Sequence, residues 1–259
     1  MLLETPKSYS PSSLSQFTSC PLAFRYSYIE RRERKPQYAA TKGSIIHRAL
    51  ELLFENDPEQ RDHVQAKRSL EMAFKEYESI SDLVDLNLSE NELKELINSS
   101  SLLIDKYFQI ENPKRTNTIG LELKLEAEID GITLRGIIDR LDIDDNGDLI
   151  VIDYKTGSVP YKQMENSKMD SMHIYSLLCL ENFGKLPAQI QLIYLSKPVI
   201  ILGTPSEHSI KSIANKSKAI ATAVKIAVDN VDFRPKVSRL CDWCSFQELC
   251  PAKGGMIPK

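Results

Sequence analysis

The sequence predicts an α/β fold, a mixed central sheet flanked by helices. Three observations point there. Leu121-Glu-Leu-Lys-Leu-Glu-Ala-Glu-Ile129 alternates apolar and polar residues with the period of a strand that has one wet face. Two further apolar runs flank Asp144-Asp-Asn-Gly147, and Asn-Gly between β-type runs signals a hairpin because glycine tolerates a positive φ. Around these strands lie long stretches with apolar residues at helical spacing.

The elements follow in chain order. Ser10 is an N-cap with Pro11 at the first helical position, so a short helix runs from there towards Cys20. Phe17, Leu22, Phe24, Tyr26 and Tyr28 form an aromatic-rich core segment, and residues 31–37, charged and closed by Pro36, form a loop. After Gly43, Ser44 caps a helix reaching about residue 55, with Ile46, Leu50, Leu53 and Phe54 on its buried face and His47 in its first turn. Residues 61–78 and 89–110 read as two amphipathic helices, the second opening on the capping box Ser89-Glu-Asn-Glu92. A linker over 113–118 leads to the alternating strand, which turns at Asp130-Gly131 into a strand carrying Asp139. The apolar phase shifts across Gly136, which predicts a bulge. Glu122, Glu126 and Glu128 are expected on the solvated face. A helix over 168–183 carries Met172, Tyr175, Leu178 and Cys179 on one side; strands at 190–195 and 199–202 and a helix over 207–228 complete the chain.

The hairpin carries the chemistry. Side chains on a strand repeat every two residues, so Asp139 shares a face with Ile137, Leu141 and Ile143, and Asp153 with Leu149 and Val151. An ionised carboxylate is costly to bury unless paired or bound to a metal. A three-residue loop, Asp145 to Gly147, sets Asp139 opposite Asp153; a two-residue Asn146-Gly147 loop would put Tyr154 there instead, and we expect the former. Lys155 then lies on the face of Asp153. Two carboxylates and an ammonium around a hard cation such as Mg²⁺ or Mn²⁺ suit metal-assisted hydrolysis of a phosphodiester.

The joint pattern, Asp139 and then Asp153-Tyr-Lys155 across a hairpin, resembles the signature of the PD-(D/E)XK nuclease superfamily. Gly43-Ser-Ile-Ile-His-Arg-Ala-Leu-Glu51 resembles the Gly-x-x-x-His-x-x-Leu-Glu helix of its RecB-like exonuclease branch. The resemblance spans Ser10 to Pro251. It implies a restriction-endonuclease-like core in a single domain over 1–259, with a helical insertion at about 56–112. It implies metal ligation by His47, Asp139, Asp153 and the Tyr154 carbonyl, with Lys155 positioning the attacking water. The branch carries Gln-x-x-x-Tyr on the helix that here holds Tyr175, which would steady Lys155 or a phosphate; this chain has Ser171 where that glutamine would be.

The cysteines cluster at one end. Cys241-Asp-Trp-Cys244-Ser-Phe-Gln-Glu-Leu-Cys250 supplies three thiols and leaves a four-ligand site one short, which Cys20 fills if the chain ends meet. The same arrangement in the AddB-like and CRISPR adaptation nucleases implies a [4Fe-4S] cluster clamping the fold at about 234–259. A structural Zn²⁺ uses the same thiolates and stays open. Cys179 reads as a buried free thiol.

Composition bounds the rest. With 259 residues, 42% hydrophobic and 27% charged, the chain is expected to build one large core with a helical appendage. No stretch has the roughly 18 apolar residues of a membrane span or the core of a signal peptide, so the expected compartment is the cytoplasm. A net charge of -3 and a pI near 5.9 exclude coating nucleic acid by bulk charge. Holding a phosphate backbone then falls to local basic clusters, of which there are four. They are Arg31, Arg32, Arg34 and Lys35; Lys162 with Lys168; Lys211, Lys216, Lys218 and Lys225; and Arg234, Lys236 and Arg239. The expected activity is a Mg²⁺- or Mn²⁺-dependent DNA exonuclease of repair or recombination that prefers single strands. The alternative is a catalytically weak DNA-binding subunit of a repair complex. No Gly-x-x-x-x-Gly-Lys-Ser/Thr occurs, so unwinding falls to a partner helicase.

Overall fold

The structure, a computed structural model, describes residues 3–162 and 165–256. Two compact units emerge. One comprises Pro36–Leu125 and Ile137–Ser206, the other Met1–Lys35, Glu126–Gly136 and Glu207–Lys259. The strands β1 (Thr118–Ile129) and β2 (Ile132–Ile143) contribute residues to both.

The first unit is built on a mixed sheet. Its order is β1-β2-β3-β4-β5, with β3 at Leu149–Lys155, β4 at Gln189–Tyr194 and β5 at Val199–Gly203. β2 and β3 are antiparallel, β3 and β4 parallel, β4 and β5 antiparallel. The hairpin between β2 and β3 has the predicted three-residue loop. Asp144 donates its N–H to the Asp148 carbonyl at 2.9 Å, and Gly147 takes φ +81°, the left-handed position that demands glycine. The register is the expected one, with Ile143 opposite Leu149 and Arg140 opposite Ile152.

Helices cover the sheet. α3 (Tyr38–Phe54), α4 (His63–Glu78), the short α5 (Ser81–Val84) and α6 (Glu90–Tyr107) precede it. Ile45, Leu50 and Leu53 of α3, Leu70 and Phe74 of α4, and Leu96 and Ile104 of α6 form one apolar cluster with Ile152, Tyr154, Ile193 and Leu195 of the sheet region. Each such buried side chain contributes roughly 1.5–3 kcal/mol. The capping box at Ser89 forms as expected: Glu92 donates its N–H to Ser89 Oγ, and Ser89 donates its N–H to the Glu92 carboxylate at 2.8 Å. α7 (Glu165–Phe183) packs on β3 and β4, and carries the buried Cys179, whose thiol burial pushes up to about 12. The predicted linker contains a 3-10 turn, Pro113–Arg115.

Two expectations need correction. The helix expected to start after Gly43 starts at Tyr38, so Gly43 is interior and His47 lies in the third turn. The weak start signal at Ser44 competed with a run of residues, Tyr38 to Lys42, that α3 absorbs. There is no bulge at Gly136, because burial alternates without a break through Leu134, Gly136, Ile138 and Arg140. The phase shift reflects a half-exposed Ile137 rather than a backbone defect. A further finding is Arg140, 1% exposed although nothing in the hydropathy pattern marks it. Its guanidinium donates to both Glu111 oxygens at 2.6 and 3.0 Å and to the Tyr154 hydroxyl at 2.7 Å, pairs with Asp142 at 3.0 Å, and lies 4.4 Å over the Phe54 ring.

The second unit holds α1 (Pro11–Ser19), α2 (Pro21–Phe24) running into a π-turn at Arg25–Ile29, and α8 (Glu207–Asp229). Ser10 caps α1, accepting the Ser13 N–H at 3.2 Å. Leu22, Phe24 and Tyr26 are fully buried, as the aromatic segment predicted, and the Tyr26 hydroxyl donates to the Leu249 carbonyl at 3.1 Å. Among the described residues, no helix is long and apolar enough to cross a membrane.

Candidate active site

The end of the β2–β3 ladder meets the third turn of α3. The last ladder pair is Arg140–Ile152, and beyond it Asp139 Oδ2 accepts the Tyr154 N–H at 2.8 Å. His47 reaches the same oxygen, with Nδ1 3.3 Å away. Gly43, one turn before His47 on the same helix face, explains this approach: a Cβ there would lie 3.2 Å from Thr156 Oγ1. A side chain there would need the Thr156 hydroxyl to give by a few tenths of an ångström, so glycine eases the close pass of α3 by the chain just past Lys155.

β3 brings the other pair. Asp153 is 4% exposed and forms an ion pair with the Lys155 ammonium through Oδ2, an oxygen that has no well-angled hydrogen bond. Asp139, Asp153, His47 and Lys155 therefore converge at one corner of the sheet. Tyr175, on α7, is close enough to feel the charges of Asp153, Asp139 and Glu122, and burial together with those charges pushes its hydroxyl far above the ordinary range. Ser171 turns its hydroxyl back to the Lys168 carbonyl at 3.3 Å.

Glu122 also belongs here, contrary to the expectation of a solvated face. Its φ of +43° is left-handed, and burial along β1 alternates regularly only from Lys124 onward. The backbone turn sends the carboxylate inward: its ligand atom and those of His47 and Asp139 all lie within 4.8 Å of one another. The alternation of Leu121 to Ile129 hid this residue, since a strand read at constant phase places it beside Glu126 and Glu128.

The electrostatics are those of an anionic site. Burial, then the charges of Asp139 and Glu51, push Glu122 up to about 7. Burial and the nearby Asp139 charge raise the Asp153 carboxyl against the pull of Lys155. Burial disfavours the His47 imidazolium, but its hydrogen bond to Asp139 and the charges of Asp139 and Asp153 prevail and raise it. The carboxylates line a cleft of about 520 Å³ with His47, Arg48, Glu51, Tyr77, Glu122 and Asp139 on its walls. Oxygen donors and one imidazole, crowded into one corner, fit a hard divalent cation.

Four of the five cysteines gather in the second unit. Cys20 Sγ accepts the Lys236 N–H at 3.5 Å, and Cys241 Sγ accepts that of Ser238 at 3.3 Å. Burial raises the Cys244 thiol, and Cys20, Cys250 and Cys241 each add to the rise. The two chain ends thus meet at these thiols.

A mixed sheet whose antiparallel hairpin presents two acids and a lysine to a helix-borne histidine is the framework of a nuclease. The chain belongs to the PD-(D/E)XK nuclease superfamily, whose family model matches residues 8–251. A crystal structure described as "Putative exonuclease" from Eubacterium rectale covers 92% of this chain and 86% of its own at a TM-score of 0.60 and 15% identity, a likeness of fold. An uncharacterized protein of Rickettsia typhi is 30% identical over 106 residues, and one of Rickettsia conorii 27% over 105, covering 36% and 40% of this chain. The matched part spans 12% of the length of each of these curated relatives.

Proposed function

We propose that the chain is a Mg²⁺- or Mn²⁺-dependent deoxyribonuclease that digests DNA from ends, prefers single strands, and serves repair or recombination in the cytoplasm beside a helicase. The observation that carries this reading is the His47, Glu122 and Asp139 donor set beside the Asp153–Lys155 pair. In this reading His47, Asp139, Asp153 and the Tyr154 carbonyl hold the ion, with Glu122 as an added ligand. The ion, when bound, polarises the phosphate and acidifies a water. Lys155, held by Asp153, orients that water and donates hydrogen bonds to the attacked phosphate. Asp139 keeps the His47 ring in place through Nδ1, and Tyr175 steadies a phosphate oxygen from α7. The end preference draws on the fold likeness to the Eubacterium rectale protein.

The test is a digestion assay on end-labelled linear single strands, the same strands circularised, duplex, and RNA. Linear single strands are expected to be degraded with Mn²⁺ or Mg²⁺ and to survive in EDTA, while circles persist. Degradation unaffected by EDTA would refute the proposed chemistry, and cleavage of circles would refute the end requirement.

The proposal extends to a [4Fe-4S] cluster on Cys20, Cys241, Cys244 and Cys250. A zinc tetrahedron with Zn–S bonds of about 2.3 Å brings sulfurs to about 3.8 Å. The cube and the tetrahedron use the same four thiolates, so the metal content decides between them. Anaerobically purified protein is expected to be brown and to carry about four irons per chain; a colourless protein with one equivalent of zinc would decide for the alternative.

A further inference from the structure

α8 is sharply two-sided. Ile210, Ile213, Ser217, Ala221, Val224, Ala227 and Val228 form its buried stripe. On the opposite face Lys211, Asn215, Lys218, Thr222 and Lys225 follow one another at steps of four, three, four and three residues, all exposed. At 100° per residue these five fall within about 40° of a common line, and at 1.5 Å per residue the row is about 21 Å long.

An ordinary solvated helix face mixes signs, as α6 does where Lys94 pairs with Glu90 at 2.6 Å. α8 does not. No Asp or Glu occurs from 208 to 228, in a chain whose net charge is -3. Acids stand only at its ends, Glu207 and Asp229; Lys225 reaches Asp229 at 2.8 Å, while Lys211 and Lys218 have no ion-pair partner among the described residues. Helices that lie on membranes set large apolar side chains opposite their lysines for insertion. The face opposite this row is buried in its own unit, and the positions between the lysines are Asn215, a side-chain type that hydrogen-bonds phosphate oxygens, and Thr222, whose hydroxyl donates to the Lys218 carbonyl at 2.9 Å and brings no competing charge.

We infer that the outer face of α8 is a docking surface for a nucleic-acid phosphate backbone, with Lys211, Lys218 and Lys225 as its charge contacts and Asn215 and Thr222 between them. Over about 21 Å a duplex presents about a dozen phosphate charges, so three lysines spaced two helical turns apart read charge and not sequence. This rests on the nuclease reading and adds to it a surface that no cleft residue supplies.

The test uses the full chain with Asp153→Asn, so that substrate is bound and not consumed, and follows affinity for a single strand and a duplex across salt concentration. Removing one charged partner of a phosphate lowers the slope of log affinity against log salt by about 0.9 on duplex and 0.7 on single strands. The triple substitution Lys211→Gln, Lys218→Gln, Lys225→Gln is expected to flatten the slope by about 2 to 3, and the matching triple of Arg to retain it. Circular dichroism confirms that each triple folds. An unchanged slope in the Gln triple, with Mn²⁺-dependent cleavage intact in the chain carrying Asp153, overturns the docking surface and leaves the nuclease reading standing. Equal flattening by the Arg triple overturns it too, because charge is conserved there. A parent chain that neither binds nor cuts nucleic acid overturns both.

Discussion

Asp153→Asn is expected to lower Mn²⁺-dependent digestion by about 10²–10³-fold, the scale of losing one group that stabilises transition-state charge, while DNA binding survives. The substitution removes a charge and almost no volume. It takes away the oxygen proposed to hold the ion and frees the Lys155 ammonium, whose ion-pair partner in β3 is Asp153. Asp153 is buried beside Asp139 and pairs with Lys155, so the substitution acts both on the donor set and on the placement of that ammonium. Single-turnover digestion with excess protein is the measurement. A loss smaller than about tenfold would remove Asp153 from the chemistry and leave His47, Glu122 and Asp139 as the donors to pursue.

Arg140→Met is expected to destabilise the fold by about 3–5 kcal/mol, because it strands two carboxylates, Glu111 and Asp142, that lose their buried partner. At about 2–4 °C per kcal/mol for a chain of this size, the midpoint of thermal unfolding falls by about 6–20 °C. The double change Arg140→Met with Glu111→Leu should recover a large part, since removing both members of a buried pair is far less damaging than removing one. Thermal unfolding of the two variants in EDTA checks this. If the double variant is no more stable than the single, the loss comes from packing against Phe54 and Tyr154 or from Asp142, which lacks the arginine in both, and not from Glu111.

How much of this was legible depended on whether a residue's role was written in local pattern. Gly147 announced the hairpin, and the loop length it implies sets Ile143 opposite Leu149, which fixed the register near Asp139 and Asp153. Gly43 and His47 were legible as a pair four residues apart, although the reason, the close pass of α3 by Thr156, is a tertiary fact. Glu122 was lost because a left-handed residue inside a strand has no hydropathy signature. Arg140 was lost because a buried guanidinium needs partners from far along the chain, Glu111 and Tyr154, which no window of neighbours contains. The start of α3 was misplaced because Ser44 offers a cap that the longer helix does not use.

Asp139 and Arg140 are consecutive on β2 and point to opposite sides of it, one towards His47, the other into the ion pair with Glu111. Tyr154 ties them together, giving its N–H to the first and its hydroxyl to the second. Anyone redesigning this protein for heat resistance by swapping the inner ionic cluster for hydrocarbon would also be adjusting, through one tyrosine, the seat of the Asp139 carboxylate.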